Sequence, residues 1–409
     1  MFLQKLFFIL FSFPLFFDGT GVYRATDFSS VNFALPLSLV IGSCLLLFQP
    51  ANIRYFFVRS LFFFWLMASW WIFVFLLGAF LTGDTDPSLL LIYLLPMGIG
   101  VTSGSLFFSL FKEDRDEAFR LVRISFFVCA AAALLHVLSS FYSYGIIGAF
   151  AIRGEFSIFG VFSIYQKFIY YPTILSVYFI IGLGILNVSH RKNKNVILFS
   201  LVIIFIDVLM LAAREAALTV SVGLFLYFLI NPSKGALFLV MITVVLSVFF
   251  QDMLDVVGNS SIVNKILALQ QNATAGRSEV AARVFSESLD QYNYLFGTFF
   301  SMSLGVLGTP HNQFLEILLR TGPVGLILLL MLVGIFSIKS FVKFSFLHQD
   351  KLLLFIFFAV CANLLIAFNV NTPIRAPFGS IPFYFYFTFL YRLVTESLPT
   401  ENGYSKSKK

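Results

Sequence analysis

Hydrophobic residues occur along this chain in long uninterrupted runs rather than in the alternating or one-sided patterns of soluble proteins. About 20 apolar residues are needed to span the hydrocarbon core of a bilayer, and helices that are apolar on every side are typical of segments that face lipid. The pattern therefore predicts an all-α polytopic membrane protein with about 12 transmembrane helices. The predicted spans are 2–17, 31–48, 61–81, 89–111, 121–144, 168–187, 196–212, 215–230, 236–251, 324–338, 352–370 and 378–394.

Composition excludes the soluble classes of protein. Of the 409 residues, 59% are hydrophobic and only 11% are charged, whereas soluble domains carry roughly 25% charged residues. So few charged residues cannot cover the surface of a soluble enzyme of this length. The same composition excludes disordered proteins and nucleic-acid-binding proteins. We interpret residues 1–409 as a single integral membrane domain.

The basic residues are sorted between the two sides of the predicted membrane. If the N-terminus is cytoplasmic, 18 of the 27 Lys and Arg residues fall in the cytoplasmic tails and gaps and nine in the outside gaps. Cytoplasmic loops carry such an excess in membrane proteins, so both termini are predicted to be cytoplasmic. The first run lacks a small-residue cleavage site, which favours a retained span over the alternative of a signal peptide.

One outside segment is much longer than the other loops. It extends over about 251–323, between the ninth and tenth spans, and loops of that length in a compact protein are usually functional or disordered. Apolar positions within 278–292 fall near one helical face, which predicts a short amphipathic helix at the membrane surface. We therefore expect the chemistry of the protein on this outside face.

A helix start is predicted near the end of the long loop. Thr309 is a good N-cap residue and Pro310 suits the first helical position. His311 and Asn312 would then lie in the first turn, beside free backbone N–H groups and the positive end of the helix dipole, which favour anions.

The same helix is predicted to carry one polar stripe. Asn312, Glu316 and Arg320 are spaced at i, i+4 and i+8, so that Glu316 can pair with Arg320. Gly322-Pro323 is predicted to end the helix, and Gly325 opens the next span. The alternative interpretation is a capped surface helix whose polar face is solvated.

Several ionisable residues lie at membrane depth, where they cost free energy unless they are paired or face water. Arg214 stands between the seventh and eighth spans, and a structural pair with Asp207 is the alternative to a functional role. His136 is interpreted as a buried, hydrogen-bonded histidine rather than a catalyst. Arg375 lies at the outside end of a predicted span, and the alternative to a functional role is an arginine that snorkels to the interface.

Metal chemistry is not predicted. Asp84-Thr85-Asp86 matches a D-x-D pattern that many soluble glycosyltransferases use to hold a divalent metal, but a solvated turn before Pro87 is the favoured interpretation. Cys44, Cys129 and Cys361 all lie within spans, so neither a disulfide framework nor a cysteine metal site is expected. The sequence contains no Gly-rich phosphate loop, nucleophile elbow or His-Glu-x-x-His motif.

Three motifs together resemble the bacterial O-antigen polymerase and O-antigen ligase superfamily. They are Arg214 at the junction of two spans, Gly276-Arg277 in the long loop, and His311-Asn312-x-Phe-Leu-Glu followed by Gly322-x-x-Gly325. The stretch from Arg153-Gly154 to Gly160 is also similar to that family's loop between the fifth and sixth spans. This sequence departs from the family where Arg214 follows Ala213 rather than Ser or Thr and precedes Glu215.

The resemblance implies a metal-independent glycosyltransferase of the bacterial inner membrane that needs no cofactor. It would use undecaprenyl-pyrophosphate-linked oligosaccharides at the periplasmic face, as a polymerase of repeat units. Arg214 and Arg277 would bind the pyrophosphate, His311 would act on the acceptor hydroxyl, and Arg153 would support the donor site. The alternatives are an O-antigen ligase that transfers polymer to lipid A-core, and a transporter of lipid-linked sugars.

Four further polar residues complete the predicted site. They are the candidate substrate-binding residues Asn312, Glu316, Arg320 and Arg375. Expected partners are the lipid-linked oligosaccharide and membrane lipid, with a chain-length regulator and a flippase as candidate protein partners, and no nucleic acid.

Overall fold

The computed structural model describes residues 58–151, 155–158, 162–165, 171–211, 214–232, 286, 293–300, 312–368 and 380–396. Most of these residues are helical. The helices are α1 (Phe62–Leu81), α2 (Pro87–Glu113), α3 (Arg115–Ala151), α4 (Tyr171–Val188), α5 (Arg191–Met210), α6 (Arg214–Ile230), α7 (Gln313–Val342), α8 (Phe344–Gln349), α9 (Lys351–Ala362) and α10 (Ser380–Thr395). A π-helical turn, Asn363–Ala367, continues α9.

Every predicted span that falls within the described residues corresponds to one of these helices. Within the described part of the chain, four helical stretches are long and apolar enough to cross a membrane, as judged by length and composition: Arg59–Leu81, Arg115–Gly145, Asn193–Met210 and Gln313–Val342. The prediction of a mostly helical chain with apolar helices of membrane-spanning length is thereby confirmed for the described residues. The predicted spans 2–17, 31–48 and 236–251 lie outside the described residues, so the total of 12 stays a prediction.

A short hairpin departs from the all-α prediction. Strands β1 (Glu155–Ile158) and β2 (Phe162–Tyr165) pair in antiparallel register, with Phe156 opposite Ile164. The strands combine aromatic and β-branched residues in short runs on either side of Gly160, a composition that favours pairing over helix. The segment follows a break in α3 at Gly145, whose φ of 70° stops the regular helix close to the predicted end of that span.

Helix α4 occupies a central position, in contact with α3, α5, α6 and α9. Its glycines allow close approach, because a Cβ on Gly182 would lie 2.4 Å from the Phe126 ring and one on Gly184 would lie 2.6 Å from Phe355. Small residues at such contacts are the usual way in which membrane helices pack tightly.

Helices α2 and α10 form the most extensive helix pair, and Gly104 sets their separation. A Cβ on Gly104 would lie 2.5 Å from the carbonyl oxygen of Phe385. We therefore expect Gly104→Ala to destabilise the protein by about 1–3 kcal/mol through overpacking, measured by thermal unfolding in detergent. Gly98→Ala on the same helix is the matched control, since nothing lies within 4 Å of its Cβ position, and equal effects of the two changes would contradict this account of the packing.

Four helix ends meet around one carboxylate. Glu396 accepts hydrogen bonds from Ser60 Oγ (2.9 Å), Arg392 Nε (2.6 Å) and Lys112 Nζ (3.4 Å), and Lys343 Nζ donates to its carbonyl oxygen at 2.8 Å. This cluster brings together the residues before α1 and the ends of α2, α7 and α10. Helix α1 starts at this cluster, whereas α2, α7 and α10 end there, so α1 runs in the opposite direction to these three helices.

Acidification should weaken this cluster. Burial alone would raise the pKa of the Glu396 carboxyl, but the hydrogen bond and charge of Arg392, together with Ser60 and Lys112, outweigh it and lower that pKa. A carboxyl with a lowered pKa contributes stability that is present above its unfolded pKa and is lost as the pH falls through its folded pKa. Unfolding measured against pH should show this loss, and Glu396→Gln should remove that part of the pH dependence.

Candidate functional site

Asn312, rather than Thr309, caps the helix that carries the polar motif. Its backbone is extended (φ −144°, ψ 121°), its side-chain Oδ1 accepts a hydrogen bond from Leu315 N at 3.0 Å, and α7 begins at Gln313. The prediction that Asn312 lies in the first helical turn was therefore wrong. Thr and Asn are both strong N-cap residues, and the sequence alone does not choose between them. His311 immediately precedes the cap.

Glu316 and Arg320 form the predicted pair, but inside the protein. Arg320 Nε donates to Glu316 Oε1 at 2.8 Å, and each side chain is only 2% exposed. Tyr93 Oη also donates to Glu316 Oε1, at 3.0 Å. The alternative of a solvated polar face is wrong for these two residues, because both side chains are buried and Tyr93 of α2 bonds Glu316. The buried pair thus contributes to holding α7 in place.

A segment of the long loop covers this network. Residues 293–300, here called the docking segment, form a tight turn closed by reciprocal backbone hydrogen bonds of 2.8 Å between Asn293 and Gly297. Thr298 N donates to the carbonyl of Leu319 at 2.7 Å, and the ring of Phe300 lies 5.6 Å from that of Tyr93. The docking segment thus fixes the end of the loop on α7 and α2.

The docking segment closes on a break in α7. Gly322 has a φ of 71° and a ψ of −177°, which confirms that the first helical part ends at Gly322-Pro323. A Cβ on Gly322 would lie 2.1 Å from Leu295 O, and one on Gly297 would lie 2.5 Å from Leu319 O. Only glycine fits at this crossing. Phe299 and Phe300 also have positive φ values, 55° and 58°, and such conformations in bulky residues persist only where the surroundings hold them.

Two residues that were not predicted to be functional, Tyr93 and Trp70, join α7 and the docking segment to neighbouring helices. Tyr93 bonds Glu316, and Trp70 Nε1 donates to the carbonyl of Thr321 at 2.9 Å while its ring stacks on Phe296 at 5.7 Å. Both lie within apolar runs, where an aromatic residue is more often a lipid-facing or core side chain. No signal in one sequence distinguishes these roles.

Removing one hydroxyl tests the network. Tyr93→Phe should cost about 1.5–3 kcal/mol of stability, since a hydrogen bond to a charged group is lost while the ring contacts with Trp71 and Phe300 remain. The measurement is thermal unfolding in detergent, with Tyr142→Phe as the control because Tyr142 is 80% exposed. If both changes had the same small effect, the bond to Glu316 would contribute nothing measurable.

The helix that starts at Arg214 has its first residue at the same end of the bundle as Asn312. The ring of Tyr227, near the end of α6, lies 6.0 Å from that of Phe355, near the start of α9. Helix α6 also contacts the π-helical turn that follows α9, so the two helices run in opposite directions. The ring of Phe368, beyond that turn, lies 5.9 Å from the ring of Phe314 at the start of α7.

Asp207 contacts a histidine from another helix. Its Oδ1 lies in hydrogen-bonding contact with Nδ1 of His136, and both residues are buried. His136 is therefore the buried, paired histidine that the sequence predicts. The predicted alternative, a pair of Asp207 with Arg214, concerns a side chain outside the described residues.

The remaining predicted site residues also fall outside the part of the chain that the structure describes. They are His311, Arg277, Arg153 and Arg375, together with the predicted cap Thr309 and all of the predicted surface helix 278–292 except residue 286, which is helical. Their predicted roles stay predictions.

The D-x-D turn is docked on the long loop. Asp86 N donates to the carbonyl of Phe300 at 3.2 Å, and Thr85 is buried. Within the described ranges, no group of three or more His, Cys, Asp or Glu side chains is placed to hold a metal ion.

No protein-family model matches the chain, and no curated protein sequence matches it.

Proposed function

We propose that this protein is a membrane-embedded glycosyltransferase that joins undecaprenyl-pyrophosphate-linked oligosaccharide repeat units into a surface polysaccharide. The proposal rests on the motif resemblance and on one structural observation. Helix α6 starts at Arg214, and α7 starts two residues after His311. Both helix starts lie at the same end of the bundle. Motifs almost 100 residues apart in the sequence are thus available to one substrate.

The chemistry requires two functions that these residue types supply. Transfer of a glycan from a lipid pyrophosphate needs stabilisation of the negative charge on the leaving group, and guanidinium groups offer fixed bidentate donors to phosphate. The incoming hydroxyl must lose a proton, and the unperturbed pKa of histidine, near 6.5, suits a general base at neutral pH. In this proposal Arg214 and Arg277 bind the pyrophosphate, His311 is the base, and Arg153 and Arg375 support the donor.

Buried interactions position this end of α7. The Asn312 cap fixes where the helix begins, and the pair of Glu316 and Arg320, with Tyr93, fixes the helix against α2. The positive end of a helix dipole favours an anion at that start. We assign Asn312, Glu316 and Arg320 to positioning rather than to substrate contact.

The proposed topology has 12 spans, both termini in the cytoplasm, and the site at the periplasmic face of the bacterial inner membrane. Two observations support it. The cluster around Glu396 joins helix ends that the charge distribution assigns to the cytoplasmic side. The docking segment joins the end of α1 to the starts of α2 and α7, and the charge distribution assigns these three helix ends to the periplasmic side.

Product formation tests the proposal. The purified protein, given a lipid-linked repeat unit and excess chelator, should produce a ladder of polymer without added metal. Absence of polymer with transfer to lipid A-core would favour the ligase, and translocation across liposomes without new glycosidic bonds would favour a transporter. Full activity in both His311→Ala and Arg277→Ala would contradict the assigned site.

A further inference from the structure

The pair of His136 and Asp207 lies beside the turn that leads to Arg214. Asp207 is in the last turn of α5, where its carbonyl accepts a hydrogen bond from Leu211 N at 3.0 Å. Helix α6 begins at Arg214, three residues beyond Leu211, and three residues span at most about 11 Å. Any rotation of the last turn of α5 therefore moves the start of α6.

The last turn of α5 contacts two apolar clusters, since its buried residues Val208 and Leu211 belong to the main core and Met210 belongs to a smaller cluster. Val137, Ala149 and Met210 form a small buried cluster, with Phe141 and Ile206 at its edge. His136 is adjacent to Val137 in the sequence, and Asp207 precedes Met210 by three residues. The polar contact and this small cluster thus join α3 to the end of α5.

A buried pair of ionisable side chains is an expensive way to join two helices inside a membrane. Ionisable residues at that depth are rare and usually functional, and apolar residues of similar volume often replace a buried ion pair without loss of stability. A hydrogen bond, however, is directional, whereas apolar contact is not. The pair fixes the rotation of the helix end in addition to its separation from α3.

We infer that His136 and Asp207 are positioning residues. They set the orientation of the start of α6, and therefore of Arg214, for binding of the donor pyrophosphate. This inference rests on the proposed function and adds to it that donor binding requires the pair of His136 and Asp207. Neither residue needs to contact the substrate. His136 Nδ1–H donates to the Asp207 carboxylate, and the effect reaches Arg214 through the backbone of residues 208–213.

The experiment measures the dissociation constant of undecaprenyl pyrophosphate, without sugar, for the full-length protein in nanodiscs. We expect Asp207→Asn and His136→Leu each to weaken binding by about 2- to 30-fold, the range of typical couplings between sites. Arg214→Gln should weaken it further, and the double variant Asp207→Asn/Arg214→Gln should bind about as weakly as Arg214→Gln alone. Additive losses would contradict action through Arg214.

Two further variants separate positioning from a purely structural role. Val137→Ala should lower the melting temperature without changing the dissociation constant of the folded protein, because it loosens the same cluster and leaves the pair intact. His136→Leu/Asp207→Leu should recover the melting temperature lost in the single variants but not the binding. Recovery of both would overturn the inference.

The failure of the proposed function is distinguishable in the same experiment. If the unaltered protein does not bind undecaprenyl pyrophosphate, the proposed function fails and this inference fails with it. If the unaltered protein binds and the His136 and Asp207 variants bind equally well, only the positioning role is overturned.

Discussion

Replacing His311 by alanine is expected to lower the rate of polymer formation by about 10²–10⁴-fold, the usual contribution of a general base. The residue immediately precedes Asn312, which already supplies the N-cap of α7, so the imidazole is not needed to start the helix. The protein should therefore fold and bind the donor normally while turnover is lost. Polymer length and amount on a gel, with a chelator present, measure the effect.

The neighbouring cap residue provides the control for this prediction. Asn312→Ala removes the hydrogen bond to Leu315 N and should cost about 0.5–2 kcal/mol of stability, whereas Asn312→Ser keeps a capping oxygen and should recover most of it. His311→Ala should instead leave the melting temperature unchanged. A variant of His311 that loses activity only in proportion to its loss of folded protein would show a structural role.

Breaking the buried pair on α7 is expected to have the largest effect on stability. Glu316 and Arg320 are each 2% exposed and 2.8 Å apart. Arg320→Met leaves the carboxylate buried without its partner, which costs about 3–5 kcal/mol for buried pairs. We expect the same order of loss for Glu316→Gln, measured by thermal unfolding in detergent.

The double variant decides whether the loss comes from an uncompensated charge. Glu316→Leu/Arg320→Met removes both charges and should recover most of the stability, because apolar replacement of a whole buried pair is often neutral. Arg120→Ala is the control at a pair with one exposed partner, since the Arg120 side chain is 62% exposed and that of Glu117 is 8% exposed, and it should cost clearly less than Arg320→Met. A double variant as unstable as the singles would mean that the pair serves packing rather than charge compensation.

The sequence predicts the helices well because their signal is local. Uninterrupted apolar runs identify α1 to α7, α9 and α10, and the break of α7 at Gly322 follows from a Gly-Pro step. The hairpin at β1 and β2 was missed, because its strands are short and lie within a segment that reads as a loop.

Long-range contacts explain what the sequence could not provide. The spacing of Glu316 and Arg320 predicts their pairing, but their burial also depends on Tyr93, which is 223 residues away from Glu316 in the sequence, and on the docking segment. The partner of His136 is likewise on another helix. A spacing of four residues specifies which side chains share a face, and only the tertiary packing specifies whether that face meets lipid, water or protein.

The resulting picture separates the residues that act from those that position. The proposed reacting and phosphate-binding groups are His311, Arg214 and Arg277; Arg214 is the first residue of α6, and His311 precedes the N-cap of α7 in the sequence. In this proposal, buried polar groups position the two helix starts: Glu316 and Tyr93 that of α7, and Asp207 that of α6.

The most direct test of the central claim is a cryo-EM map of the protein with undecaprenyl pyrophosphate bound in a nanodisc. We predict density for the diphosphate within hydrogen-bonding distance of the guanidinium groups of Arg214 and Arg277, with His311 beside it at the same end of the bundle. Density for the diphosphate at a different surface, or the three side chains around separate surfaces, would contradict the proposed enzyme.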